Sequence, residues 1–547
     1  MRKNIAFKLI AAAALSALAL RAGAACAAPV RPDASTELRA TQQELLQREM
    51  ARETERRLQS RPEALDLSSG AGEAAPEAEF RFLLTRVEHN PSKVLKESEL
   101  REIFARYEGR EVDVKELYRM VSEVNKLYFD KGYMVARAFL LPQKISGGVL
   151  RVRLVEGTTD KVGLSGNKTT DARYVLNSLG LKLGDVANFR KLNDRLMRFN
   201  MLNDALLKIK VSPGDAPETT QYVLTLEEPK EYTGSVFADN AGSSGSGNER
   251  FGFSYVDRSL TGWRDALALS GVFTEGSAAG YLDYSRQIGR TGARLSLGAS
   301  ANMLRANSEF YVLKSEAQTL RLRYEYPWRA DGFRKQSFFA EGSYRWNKTL
   351  ADDIMLQRQK IAGASAGVEF LSYGPGSAFY HSHTFSYNRA SEAYWDVKWE
   401  YWLYRLFAMY QRLGGNAQLL TAKLNMTIDL GGGAAAADNF FLGGPYSVRG
   451  YGKDVVGAEN GLCLNLEYAL PIPKTQPDLK YFLFVDYGYL WGNVSGKDSL
   501  AAVGFGLRST LDGKGSLSLS VGFPLEKDIG GGKVDDARFD CSVSWWF

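Results

Sequence analysis

The chain has 547 residues, 45% of them hydrophobic and 24% charged, with a formal net charge of +6. That length exceeds one compact domain, and roughly two to four are expected. Most of the positive excess lies in Arg2, Lys3, Lys8 and Arg21, inside a segment marked for removal, so a nucleic-acid-binding reading is excluded.

Lys3 and Lys8 precede an Ala- and Leu-rich run over residues 9–20, and Ala25-Cys26-Ala27 offers a small-residue cleavage site. Residues 1–27 therefore read as a secretory signal peptide. Gly23 stands where a lipoprotein signal wants a Leu-like residue three positions before Cys26, which disfavours lipidation. No second apolar run of about 20 residues follows, so helical membrane crossing is excluded. An exported chain embedded in lipid without such a helix must be a barrel, because every backbone amide there needs an internal partner. The abundance of Gly (53), Tyr (27) and Phe (28) fits that expectation.

Residues 28–60 carry the polar run TQQELLQREMARETERRLQS, free of Gly and Pro and rich in strong helix formers. Its apolar side chains are few: Leu38, Leu45, Leu46, Met50 and Leu58. Arg48, Arg52, Arg56 and Arg57 alternate with Glu44, Glu49, Glu53 and Glu55. A cylinder this polar sits in water or in a polar cavity, and a place in the pore is expected for it. Residues 61–79, rich in Ala, Glu, Gly and Pro, read as a flexible tether.

Two copies of one small module come next, over residues 80–157 and 158–229. The first reads as a strand (80–87), helices near 96–106 and from 114, and strands at 135–141 and 148–155. The second reads as a strand ending near Leu164, helices near 170–179 and 188–202, and strands at 205–211 and 221–226. The repeated order β-α-α-β-β argues for duplication rather than one larger fold.

Residues 230–547 show a procession of alternating segments. Leu320, Leu322, Tyr324, Tyr326 and Trp328 alternate with Arg321, Arg323 and Glu325. At the C-terminus Phe539, Cys541, Val543, Trp545 and Phe547 alternate with Arg538, Asp540, Ser542 and Ser544. Successive side chains of a strand point to opposite faces, so these segments are apolar outside and polar inside. About 16 such strands are expected, giving a transmembrane antiparallel β-barrel preceded by two α/β modules and a helix. Aromatic residues on both faces blur the alternation over 394–415. By the same alternation Cys463 faces the lumen and Cys541 faces lipid, so both should be unpaired.

Other chemistry finds little support. His381 and His383 stand two apart, a spacing that can grip a metal, but no Cys or carboxylate cluster joins them, and a loop or luminal pair is expected. Gly245-Ser246-Gly247 lacks a following helix and reads as a turn rather than a phosphate cradle. No nucleophile elbow or metalloprotease helix occurs, so no enzyme activity, cofactor or metal is expected.

Three segments carry a family resemblance. KGYMVARAFLLPQKISGGVLRVRLVEG (131–157) resembles the end of a POTRA (polypeptide-transport-associated) domain of two-partner secretion transporters. GGPYSVRGY (443–451) resembles the tip of the long barrel loop of that superfamily, and FVDYG (484–488) its partner on the barrel wall. The resemblance implies a loop-lock motif of Val448, Arg449, Gly450 and Tyr451, and a wall motif of Phe484, Asp486 and Gly488. It also marks Trp545 and Phe547 as the C-terminal barrel signature. Register supports the first two: with Tyr481, Leu483, Val485 and Tyr487 outward, Asp486 points into the lumen, where a guanidinium can bind it through two parallel hydrogen bonds. The implied function is secretion of a large adhesin, haemagglutinin or haemolysin-like exoprotein across the bacterial outer membrane, with the POTRA domains in the periplasm recognising unfolded cargo. Outer-membrane lipid and, during biogenesis, the barrel-assembly machinery are further implied partners. A barrel-assembly insertase of the same superfamily and a passive porin are the alternatives.

Overall fold

The computed structural model describes residues 33–59, 81–289, 291–307, 312–393, 396–472, 479–511, 513–529 and 534–547. The expected signal peptide and tether lie outside them. The first element is helix α1 (Ala34–Gln59), whose first turn is capped by Asp33: its carboxylate accepts from the Thr36 amide at 2.9 Å and hydroxyl at 3.0 Å. Its 26 residues make a rod about 39 Å long, enough to run the height of a barrel.

The first small module departs from the expected pattern at its start. One strand is expected over 80–87, but the chain breaks at Thr85 into Arg81–Leu84 and Arg86–His89. Arg81–Leu84 pairs with Arg110–Asp113, a short charged strand that periodicity does not reveal, while Arg86–His89 lies parallel to Val149–Val155. Helices α2 (Glu97–Phe104) and α3 (Val114–Asp130) cover the sheet. Asp113 and Glu116 form a capping box at the start of α3. Phe104, Met120, Val124, Tyr128 and Leu150 bury the apolar faces of helices and sheet together.

The second module has the same plan. Its last strand, Thr219–Glu227, is central, parallel to Thr158–Ser165 and antiparallel to Leu206–Pro213, under helices α4 (Ala172–Leu179) and α5 (Phe189–Leu202). The two modules are clasped where Asn188 Nδ2 donates to the Lys131 carbonyl at 2.7 Å and the Phe189 amide to Gly132 at 2.8 Å. The second module also seats against the turns at the near end of the barrel. Arg198 donates to the Pro327 carbonyl at 2.7 Å, Arg264 pairs with Asp204, and the Asp171 amide reaches the Gly262 carbonyl at 2.8 Å.

The barrel closes with 16 antiparallel strands, from Tyr232–Asp239 to Arg538–Trp546, and the seam pairs Asp239–Ser235 with Ser542–Trp546. Lipid-facing and lumen-facing residues alternate as expected: Leu320 and Leu322 are about half exposed, while Arg321 and Arg323 form ion pairs inside. Cys463 lies buried inside, and both remaining cysteines are free. Over 394–415 the strand is Val397–Leu413, whose inner face carries Trp399, Tyr401 and Leu403 because an inward-folded loop packs on them.

One expectation is corrected. His381 and His383 lie on the outer wall of the strand Ser377–Glu392, on the face of exposed Phe379 and Phe385, while Ser382, Thr384 and Ser386 line the lumen. The imidazoles satisfy each other at 3.0 Å, His383 meets the Tyr404 hydroxyl at 2.8 Å, and His381 stacks on Phe370. A pair satisfied in this way tolerates the apolar side of the wall.

Candidate functional site

The lumen is where the charged side chains converge. The long connection over residues 432–459, at the end of the barrel away from the small modules, folds back inside between the strands Leu419–Gly431 and Asn460–Pro471. A short hairpin, Phe440–Leu442 with Val456–Ala458, stiffens it. Leu442, Val448, Tyr451 and Val456 bury themselves with Cys463, Leu490 and Leu500, so the loop has its own apolar core inside a polar channel.

Arg449 stands at the tip of that loop. Its Nε and Nη2 donate to the two oxygens of Asp486 at 2.7 and 2.9 Å, and its backbone amide donates to Asp486 at 3.0 Å. Nη1 reaches Glu467 at 2.7 Å, and Glu467 also pairs with Arg508 at 3.0 Å. Asn465 supplies Asp486 with a further hydrogen bond at 2.8 Å. The guanidinium lies 3.6 Å over the Phe484 ring. Asp486 is fully buried. Breaking such a buried pair by removing one partner costs about 3–5 kcal/mol, because the other charge is left unpaired.

The neighbouring motif residues make room for this contact. Gly450 has φ +91°, a left-handed conformation, and its amide nitrogen would lie 2.6 Å from a Cβ on Gly522. Gly488 leaves space for Leu442, whose side chain would meet an added Cβ at 2.5 Å. Phe484 lies across Gly504, where a Cβ would be 2.3 Å from the ring. The Tyr451 hydroxyl accepts from the Glu526 amide and donates to the Ala501 carbonyl, each at 3.0 Å. Val448 is fully buried beside it. Trp545 and Phe547 lie apart from this cluster, on the outer wall. The backbone of Phe547 bonds Gly234 in both directions, tying the last residue to the first strand.

Helix α1 threads the same lumen. At its outer end the Ala34 amide donates to Ser315 Oγ at 3.1 Å; at its inner end Glu55 meets Lys480 at 3.0 Å. Between them Glu44 holds Arg250 at 2.7 Å, Arg48 holds Asp239 at 2.8 Å, and Arg52 lies 4.0 Å over the Trp546 ring. Gln43 and Gln47 both donate to Asn425 at 3.3 Å. Its buried apolar cluster is small: Ala34, Leu38 and Leu45 against Ala279, Tyr281, Leu304, Ala306 and Ala317. A cavity of about 1090 Å³ remains beside the helix along the strands that include Ser518 and Ser544, and one of about 430 Å³ on the side of Arg323 and Arg345.

Sequence reasoning misses the residues that receive the helix. Asp239, Arg250, Arg345, Arg405 and Asp438 are far from it in sequence, and no local motif links them to it. Among the described residues no group of three or more His, Cys, Asp or Glu side chains could hold a metal ion. The charged groups around Arg449 and along the helix are held in ion pairs, an arrangement that binds and positions.

A lumen closed by an inward loop and a threaded helix, above two small α/β modules, defines an outer-membrane polypeptide-transport barrel. The Omp85 superfamily domain matches residues 233–545, and the POTRA domain of ShlB type matches residues 82–157. The chain belongs to the Omp85 superfamily, in its two-partner secretion branch, with its barrel in the outer membrane and its POTRA domains in the periplasm. It is similar to the heme/hemopexin transporter protein HuxB of Haemophilus influenzae (strain 86-028NP), with 24% identity over 483 residues, 82% of this chain and 85% of that one. It shares 27% identity over 189 residues with the outer membrane transporter CdiB of Dickeya dadantii, 35% of this chain and 33% of that one. The structure of CdiB from Escherichia coli has the same fold, with a TM-score of 0.68 at 20% identity, covering 96% of this chain and all of that one.

Proposed function

We propose that this chain secretes a large exoprotein partner, of the adhesin, haemagglutinin or haemolysin kind, from the periplasm to the cell surface. The observation that carries the reading is a lumen filled by a helix held almost wholly through polar contacts, beside a loop anchored independently to the wall. A filling of that kind can leave by giving up one small apolar cluster and a set of polar contacts, as a secretion pore requires and a passive porin does not. The names of the relatives, a heme/hemopexin transporter and an outer membrane transporter, support transport rather than catalysis.

In this reading the POTRA domains receive the cargo unfolded. Arg137–Leu140 and Leu206–Pro213 are edge strands of their sheets, and an extended chain can add to such an edge through backbone hydrogen bonds that tolerate varied sequence. Arg449 and Asp486 hold the loop within the pore, with Val448, Gly450, Tyr451, Phe484 and Gly488 shaping the seat. The barrel wall takes lipid as its partner, and Trp545 and Phe547 present the C-terminal strand to the assembly machinery during insertion.

A deletion strain tests the reading. The expected result is one large exoprotein lost from the medium and retained in the periplasm, with other outer-membrane barrels assembled normally. A general loss of barrels would favour an insertase instead, and an unchanged set of exported proteins would overturn the proposal.

A further inference from the structure

Asp438 pairs with three guanidinium groups, more than any other luminal carboxylate among the described residues. It lies on a short turn, Ala436–Asp438, at the base of the inward loop, with its side chain 1% exposed. Arg345, from the strand Arg334–Ala351, grips both of its oxygens at 2.9 and 2.7 Å. Arg405, from Val397–Leu413, donates at 2.6 Å, and the Tyr401 hydroxyl at 2.5 Å. The third guanidinium is Arg39 of helix α1, which donates to Asp438 at 2.7 Å and to the Asn439 carbonyl at 2.6 Å.

One carboxylate therefore faces three guanidiniums, and they do not have equal claims on it. Arg345 and Arg405 belong to the fixed wall and hold the loop whether or not the helix is present. Arg39 is the surplus cation: it is attracted by Asp438 and repelled by two like charges bound to the same group. The interaction of unit charges scales inversely with distance and effective dielectric, so in a partly dry lumen both the attraction and the repulsion are strong and largely offset. The local net charge is +2 with the helix in place and +1 without it.

We infer that Asp438 is the positioning residue that retains helix α1 in the pore while keeping its hold deliberately weak. This rests on the reading of α1 as a resident plug. The loop stays anchored by Arg345 and Arg405 when the plug departs, and no wall charge is left unpaired at this point. Removing the Asp438 charge leaves Arg39 with the neutral Asn439 carbonyl on one side and the like charges of Arg345 and Arg405 on the other, so its electrostatic contribution turns repulsive.

Single-channel recording in planar bilayers, with the full-length mature protein and potassium chloride as the conducted probe, reads this directly. Asp438→Asn should raise the fraction of time open severalfold, and Asp438→Glu should return it toward wild type. Arg39→Ala should raise the open fraction in the wild-type background but lower it in the Asp438→Asn background. Arg405→Gln, which removes one competing wall cation, should lower the open fraction and serves if Asp438→Asn fails to insert as a heat-modifiable barrel. A wild-type open fraction in Asp438→Asn, an Arg39→Ala effect of the same sign in both backgrounds, or a raised open fraction in Arg405→Gln would overturn the inference. Unchanged conductance on deleting residues 35–60 would instead show that the helix is no plug, which is a failure of the underlying reading.

Discussion

Arg449 is joined to Asp486 three times over, by two guanidinium hydrogen bonds and by its own backbone amide. The first two fix the side chain and the third fixes the loop itself, so the contact sets where the backbone of the tip lies as well as how charge is balanced. Glu467 and Phe484 complete the seat on the other sides of the guanidinium.

Arg449→Ala should abolish or sharply reduce secretion while leaving barrel insertion largely intact, because the wall that seats it is held by its own strand pairing. A loss of 3–5 kcal/mol corresponds to a shift in the loop equilibrium of more than about a hundredfold. Arg449→Lys should recover only part, since an ammonium cannot make the paired hydrogen bonds. Secretion assays beside heat-modifiable mobility measure both. Wild-type secretion in both Arg449→Ala and Asp486→Ala contradicts the assigned role.

Residues 80–228, purified alone, should be soluble and bind an unfolded segment of the secreted partner, because each module closes its own apolar core. Deleting this region should stop export. Export that continues without it places recognition elsewhere.

Deleting residues 35–60 should raise single-channel conductance substantially. Helix α1 occupies the lumen from Ser315 near its outer end to Lys480 near its inner end, leaving cavities of about 1090 and 430 Å³ beside it, so its removal widens the path. Equal conductance with and without the helix would remove its role as a plug.

The joint between the second POTRA domain and the barrel should weaken in acid. Burial pushes the Glu228 carboxyl up, but hydrogen bonds from Thr170, Thr169 and Lys168 outweigh it and hold the group below its ordinary value. Those amides donate at 2.9, 3.0 and 3.0 Å, and the segment they belong to rests on the turn around Ser259 and Gly262. A carboxyl depressed in the folded state stabilises it fully above the unfolded value of about 4.3 and loses that contribution as pH falls. Amide protection factors over 168–171 should therefore be level above about pH 5 and fall below it. Glu228→Gln should start lower and lose the pH dependence; identical profiles in the two proteins contradict the assignment.

Much of this fold is legible because membrane strands announce themselves by alternation. Leu320 to Trp328 and Phe539 to Phe547 face lipid on one side and water on the other, so a single period fixes their register. Helix α1 is legible for the opposite reason: a Gly-free run without an apolar stripe has no place in a core. What escapes is set by tertiary contact. Arg110–Asp113 becomes a strand only because Arg81–Leu84 needs an edge partner, and its charged sequence carries no period. His381 and His383 look luminal because they are polar, yet each is satisfied by a neighbour on the outer wall. Arg449 and Asp486 can be paired from motifs, whereas Asp438 stands on an Ala- and Gly-rich loop with nothing nearby to name its three partners.

Passage of polypeptide through this lumen is the central claim, and site-specific photocrosslinking in secreting cells tests it most directly. Benzoylphenylalanine placed at Ser518, which lines the larger cavity, should form a high-mass adduct containing the exported protein. The same group at Leu519, the next residue and on the outer face of the same strand, should not. An adduct from Ser518 alone is the predicted result. Undiminished secretion with no adduct from Ser518, or equal adducts from both positions, would contradict transport through the pore.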